Sequence, residues 1–99
     1  MNTPSCWTPE EVHNASSAVL LDVRDLSEYD AYHVPGAVWM PLVSMQSGAW
    51  TPVHGLTYVC ACGKGGGRSD AAAGWIRSQG FDAVSLCGGT AAWKTHDSH

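Results

Sequence analysis

Leu56-Thr57-Tyr58-Val59-Cys60-Ala61 runs into Cys62-Gly63-Lys64-Gly65-Gly66-Gly67-Arg68 and then into the segment Ser69 to Gln79, with no spacer between them. The first piece is a short apolar run of the kind buried on both faces of a parallel sheet. The last sets Ala72, Trp75 and Ile76 on one helical face, and Gly80 stops it. Strand, glycine loop and helix therefore follow directly on one another. The same alternation extends outward in both directions. Upstream, Val19 to Val23 reads as a strand, Ser27 to Tyr32 as a short helix, Pro35-Gly36 as a turn, and Ala37 to Met40 as a strand stopped by Pro41. Val43 to Gly55 reads as a helical turn followed by a loop. Downstream, Ala83 to Leu86 is the last strand, Gly88-Gly89 a turn, and Thr90 to Lys94 a final short helix. Near the start, Ser5 to Trp7 is extended. Thr8 then caps a helix that has Pro9 at its first position and Glu10 and Glu11 at the positive end of its dipole. Apolar strands separated by helices predict a three-layer α/β fold. In such sheets ligands bind beyond the carboxyl ends of the strands, which directs attention to the loop that follows Ala61.

The 99 residues predict one domain, spanning 1–99, with no internal repeat or linker. A 44% hydrophobic and 14% charged composition excludes disorder on compositional grounds. A net charge of −4 with five Lys and Arg argues against a nucleic-acid partner, which needs a basic face. No apolar run is long enough to span a membrane. The segment Met1 to Trp7 lacks the basic start and apolar core of a secretory signal. The expected location is therefore cytoplasmic. Four cysteines allow two disulfides, a metal site or free thiols. Cys60-Ala61-Cys62 has the wrong spacing for a zinc pair, and no second close pair exists. Free thiols in a reducing compartment are the expectation, with no metal and no cofactor.

Four of the five residues between Cys62 and Arg68 are glycine. Glycine contributes no packing and costs conformational entropy, so four in one loop need a reason. One reason is a nest of backbone N–H groups turned toward a common centre, with the helix N-terminus aimed at the same place. Lys64 and Arg68 add two cationic side chains. A thiol in such surroundings is pushed toward thiolate. A nucleophile with anion-stabilising donors and no adjacent base suits a substrate that brings its own anionic leaving group. The plain alternative is a flexible loop beside a buried structural cysteine. A nucleotide P-loop is set aside, because Lys-Ser/Thr does not close this loop.

From about Ser5 to Trp93 the chain resembles the single-domain rhodaneses, a family of sulfurtransferases. Leu20 to Asp25 with Glu28-Tyr29 resembles the family's first signature and His33-Val34-Pro35-Gly36-Ala37 the second. Tyr58 to Ser69 resembles the active-site loop. Gly80 to Val84, Gly88-Gly89 and Ala92-Trp93 resemble the C-terminal signature. The resemblance implies a mostly parallel five-stranded sheet with helices on both faces. It further implies that Cys62 takes sulfane sulfur from thiosulfate or a related donor, holds it as a persulfide and passes it to cyanide, a thiol or a protein acceptor. Gly63, Lys64, Gly65, Gly66, Gly67 and Arg68 would then bind the anionic donor.

Five residues between Cys62 and Arg68 is one more than rhodanese loops usually carry. It is the length seen in related cysteine-dependent phosphatases and arsenate reductases, which therefore stand as an alternative. A non-enzymatic sulfur-carrier or binding module is another, although the presence of Cys62 speaks against it. The glycine-lysine loop without hydroxyls favours sulfur transfer. Cys60 lies inside the strand and is expected in the core. Asp70, on the first helical turn, is read as a dipole partner. Asp22 is a candidate rim residue, and Arg24 is expected to pair with Glu28 or Asp25. Trp39 and Trp75 are expected in the core, Trp93 as a packing anchor, and His33 as a stabiliser of its turn. Cys87, at the end of the last strand, is either packing or a resolving thiol for Cys62.

Overall fold

A computed structural model describes residues 6–64 and 66–97. The elements are β1 (Cys6–Trp7), α1 (Pro9–Asn14), β2 (Ala18–Asp22), α2 (Leu26–Ala31), β3 (Val38–Trp39), α3 (Leu42–Gln46), β4 (Thr57–Ala61), α4 (Gly67–Ser78), β5 (Asp82–Leu86) and α5 (Gly89–Asp97). The strands form one sheet in the order β1-β5-β4-β2-β3. Every neighbouring pair is parallel. The expected extended piece at Ser5 begins outside the described residues, and its remainder is β1.

Local chemistry accounts for the boundaries. Thr8 accepts from the Glu11 N–H while Glu11 accepts from the Thr8 N–H, a reciprocal cap with Pro9 at the first helical position. β4 lies at the centre, paired with β2 and β5, so Tyr58, Val59, Cys60 and Ala61 are all buried. On one face, Leu21 of β2, Cys60 of β4 and Cys62 just beyond it pack against Met45 of α3 and Ala72, Ala73 and Ile76 of α4. The other is covered by Leu20, Val34, Val59, Leu86 and Trp93, with Trp7 and Val12 from the β1–α1 segment and Trp93 from α5. The three-layer expectation holds on both faces, and Trp93 is the anchor expected. Truncating Ile76 or Leu21, each almost fully buried, to Ala would cost about 2–5 kcal/mol.

Two packing expectations change. Trp39 is 37% exposed. β3 has only two residues and lies at the sheet edge, so its indole covers a turn instead, donating from Nε1 to the Arg24 carbonyl at 2.8 Å. Trp75 is half-buried against the core, and Ala73 takes the fully buried place beside Ala72 and Ile76. The helix also begins at Gly67, two residues before the expected Ser69, so the end of the glycine loop is already helical.

The thiols differ more. Cys6 and Cys87 are joined in a disulfide with Cα atoms 5.0 Å apart. The cause is topological. β1 runs parallel to β5 with Cys6 opposite Ser85 and Trp7 opposite Leu86, and the Cys87 N–H donates to the Trp7 carbonyl at 2.7 Å. Cys87 is therefore not the free thiol that both sequence alternatives, packing or a resolving partner for Cys62, assumed. Cys60 and Cys62 are the free cysteines, and both are buried.

Candidate active site

Cys62 follows the last residue of β4, at the carboxyl edge of the sheet. Its Sγ lies 3.4 Å from Ser69 Oγ on the first turn of α4 and 3.8 Å from the Gly66 carbonyl. Strand end and helix start thus meet at the sulfur, and the residue is 4% exposed. Gly66 is the N-cap of α4, with φ +91°, a conformation that L side chains rarely adopt. Having no side chain, it cannot cap the first-turn N–H groups itself.

The cradle is less uniform than an all-amide nest. The Gly66 carbonyl turns toward the sulfur and also accepts from Ser69 Oγ at 2.9 Å and from the Asp70 N–H at 3.0 Å. Gly63 is half-buried, while Lys64, Gly66, Gly67 and Arg68 are exposed. Gly65 lies outside the described residues.

Arg68 does not turn inward. It grips Glu28, Nη1 to Oε1 at 2.8 Å and Nη2 to Oε2 at 3.3 Å. That hydrogen bond is the main reason the Arg68 pKa is raised, with charge from Glu28 and Cys62 adding to it. The same bond holds the Glu28 carboxyl below its ordinary 4.5. Asp22 is buried and fully engaged. Its Oδ1 accepts from the Arg24 N–H and Nε, and its Oδ2 accepts from Arg24 Nη2 at 2.7 Å. Arg24 also donates to the Tyr32 carbonyl. The expected pairing of Arg24 with Glu28 or Asp25 is replaced by this buried pair, because Glu28 is taken by Arg68. The hydrogen bond to Asp22 is the leading cause of the raised Arg24 pKa, and desolvation opposes it. The pair fixes the turn after β2, and His33 fixes the next one by binding the Tyr29 carbonyl at 2.8 Å.

Asp70 is held by the sheet, where Ser85 Oγ donates to its Oδ1 at 2.6 Å. This tie anchors the first turn of α4 over β5. Burial pushes the Cys60 thiol up to about 12, with the Arg77 charge opposing. Behind the loop, the N–H groups of Thr90 and Ala91 donate to the carbonyls of Cys62 and Gly63 at 2.8 and 2.9 Å. Thr90 Oγ1 is buried with no hydrogen-bond partner among the described residues.

Three contributors escaped the sequence reading: Ser69 beside the sulfur, Glu28 on Arg68, and the first turn of α5 on the Cys62 backbone. Ser69 carried a signal, since a hydroxyl at the third position of a helix that follows a strand and a glycine loop can face back toward the strand end. The others join distant segments and carried none. Two surface cavities, of about 240 and 270 Å³, lie elsewhere. The first is lined by Trp50, Trp75 and Phe81 and the second by Trp7, Arg77 and Asp82; neither includes Cys62. Among the described residues, no three His, Cys, Asp or Glu are grouped to hold a metal ion, and no helix is long and apolar enough to cross a membrane.

A parallel α/β sheet with a cysteine-glycine loop between its central strand and a helix is the plan of the rhodanese-like domain. A match to that family, the rhodanese-like domain, spans residues 8–96. The chain belongs to the rhodanese-like domain family. Among solved structures, it is similar to a rhodanese homolog from Thermus thermophilus, at 30% identity and TM-score 0.67 over 85% of this chain and 94% of that one. A rhodanese-related protein from Thermoplasma volcanium shares 21% identity at TM-score 0.80, covering 92% of this chain and 91% of the other. A single-domain sulfurtransferase from Saccharomyces cerevisiae shares 21% identity at TM-score 0.74, covering 96% and 92%.

Proposed function

We propose that this chain is a sulfurtransferase that moves sulfane sulfur from thiosulfate, or a related anionic donor, to a thiophilic acceptor through a persulfide on Cys62. The observation that carries the reading is the meeting of Cys62 Sγ with the first turn of α4, 3.4 Å from Ser69 Oγ. Membership in the rhodanese-like family supports it. In the first step the Cys62 thiolate attacks the outer sulfur of thiosulfate. A new S–S bond forms on Cys62, the sulfur–sulfonate bond breaks, and sulfite leaves with the electron pair. In the second step a nucleophile such as cyanide attacks the outer persulfide sulfur, thiocyanate departs and the Cys62 thiolate returns. No proton is moved in either step, so no general base is required. The N–H groups at the start of α4 stabilise the anionic persulfide and the donor. Ser69 Oγ can turn its proton to the sulfur once that is anionic.

The loop length favours a second reading, a phosphatase or arsenate reductase using Cys62 and Arg68. Ester hydrolysis needs a general acid for the alkoxide. The nearest carboxylate in sequence, Asp70, is bound to Ser85, and Arg68 is bound to Glu28. The first observation favours sulfur transfer; the second bears on both readings alike. Thiocyanate formation from thiosulfate and cyanide, run beside phosphatase and arsenate-reduction assays, decides between them. Turnover is expected in the first assay and none in the others.

A further inference from the structure

Cys6 and Cys87 are both half-buried, whereas Cys60 and Cys62 are buried. The disulfide is thus less enclosed than the two free thiols, and access is one of the factors that set exchange rates. The bond lies where its loss would be felt. Cys87 is followed by Gly88 and Gly89, with φ +70° and +62°. Next come Thr90 and Ala91, whose N–H groups hold the carbonyls of Cys62 and Gly63. The turn is closed tightly, since a Cβ on Gly88 would lie 2.6 Å from Ala92 Cβ. On the far side of the bond, β1 has only two residues and lies at the sheet edge. Two residues, both glycine, thus separate a reducible bond from a backbone clamp on the candidate nucleophile.

We propose that Cys6–Cys87 is a redox site for dithiol reductants, and that its disulfide form holds the first turn of α5 against Cys62 and Gly63. A thiolate of the reductant attacks one sulfur, the Cys6–Cys87 bond breaks and a mixed disulfide forms. The reductant's second thiol displaces the protein sulfur and leaves as an internal disulfide. Two electrons pass to the protein, and two protons end on Cys6 and Cys87. The dithiol form loses the cross-link that restrains the chain ends, and the Thr90 and Ala91 clamp opens more often. The consequence for turnover rests on the sulfurtransferase reading; the clamp itself does not.

Hydrogen exchange on the disulfide form, and on protein reduced with dithiothreitol and freed of it under argon, tests the proposal. The Thr90 and Ala91 amides are expected to accelerate on reduction roughly tenfold more than the Val59 and Leu20 amides. A Cys6→Ser variant should match the reduced protein, and thiocyanate turnover should fall severalfold in both. Equal exchange at Thr90 and Ala91 in the two forms overturns the proposal. So does an equal acceleration at Val59, which makes the bond a general staple. If no thiocyanate forms in either state, the functional reading fails while the exchange contrast still decides the clamp.

Discussion

Arg68 and Glu28, forty residues apart in sequence, are joined through two hydrogen bonds at the rim of the cysteine loop. Both side chains are well exposed, at 49% and 38%. The guanidinium that the sequence assigns to an anionic donor is already occupied by a carboxylate. On the sulfurtransferase reading, an incoming donor would compete with Glu28 for it, and Glu28 would then tune the affinity of the loop for anions.

Replacing Glu28 by Gln should lower the KM for thiosulfate. An exposed pair is worth about 0.2–1 kcal/mol, so the expected drop is up to about fivefold, shrinking as salt rises. The Glu28 pKa is depressed. Its contribution is therefore complete above the ordinary carboxylate range and is lost only as pH falls through the lowered value. The KM difference between wild type and E28Q should accordingly stay flat from about pH 6 to 9. Steady-state kinetics at two ionic strengths across that range checks both statements. An unchanged KM at low salt would mean that backbone alone holds the anion.

Asp22 and Arg24 are the opposite case. Their side chains are 1% and 8% exposed. Removing one charge strands the other in the interior, so Asp22→Ala should cost about 3–5 kcal/mol. Urea denaturation measures this directly, and a loss near zero would show that Arg24 finds water when freed.

Cys60 should be inert. With its pKa near 12 it stays a neutral thiol at physiological pH, and the thiolate is the reactive form. Iodoacetamide on native protein should leave the Cys60 peptide unmodified, and Cys60→Ala should retain sulfur transfer. Labelling of Cys60 at the rate of a free thiol would contradict its burial.

How far the sequence discloses this molecule depends on the range of the interaction. The capping pair Thr8 and Glu11, the apolar run Thr57 to Ala61, and the stop at Gly80 are written in neighbouring residues, and the fold was legible from them. Cys62 was legible as the candidate nucleophile because strand, glycines and helix adjoin it. Trp39 was misjudged because bulk predicts burial only when a strand is interior, and edge position is a property of the sheet order. Arg68 with Glu28, and Thr90 with Cys62, are long-range meetings with no periodicity to betray them. The thiols were misread for the same reason. Cys6 and Cys87 are separated by 81 residues and become neighbours only once β1 is laid beside β5. Their bond also removes the free-thiol argument for the cytoplasm, since disulfides persist chiefly in oxidising compartments.

Mass spectrometry of thiosulfate-treated protein, digested without reductant, tests the central claim most directly. The peptide bearing Cys62 should gain one sulfur atom, lose it on exposure to cyanide with release of thiocyanate, and gain none in a Cys62→Ser variant. A stable sulfur adduct on another cysteine, or full turnover by Cys62→Ser, would contradict the account.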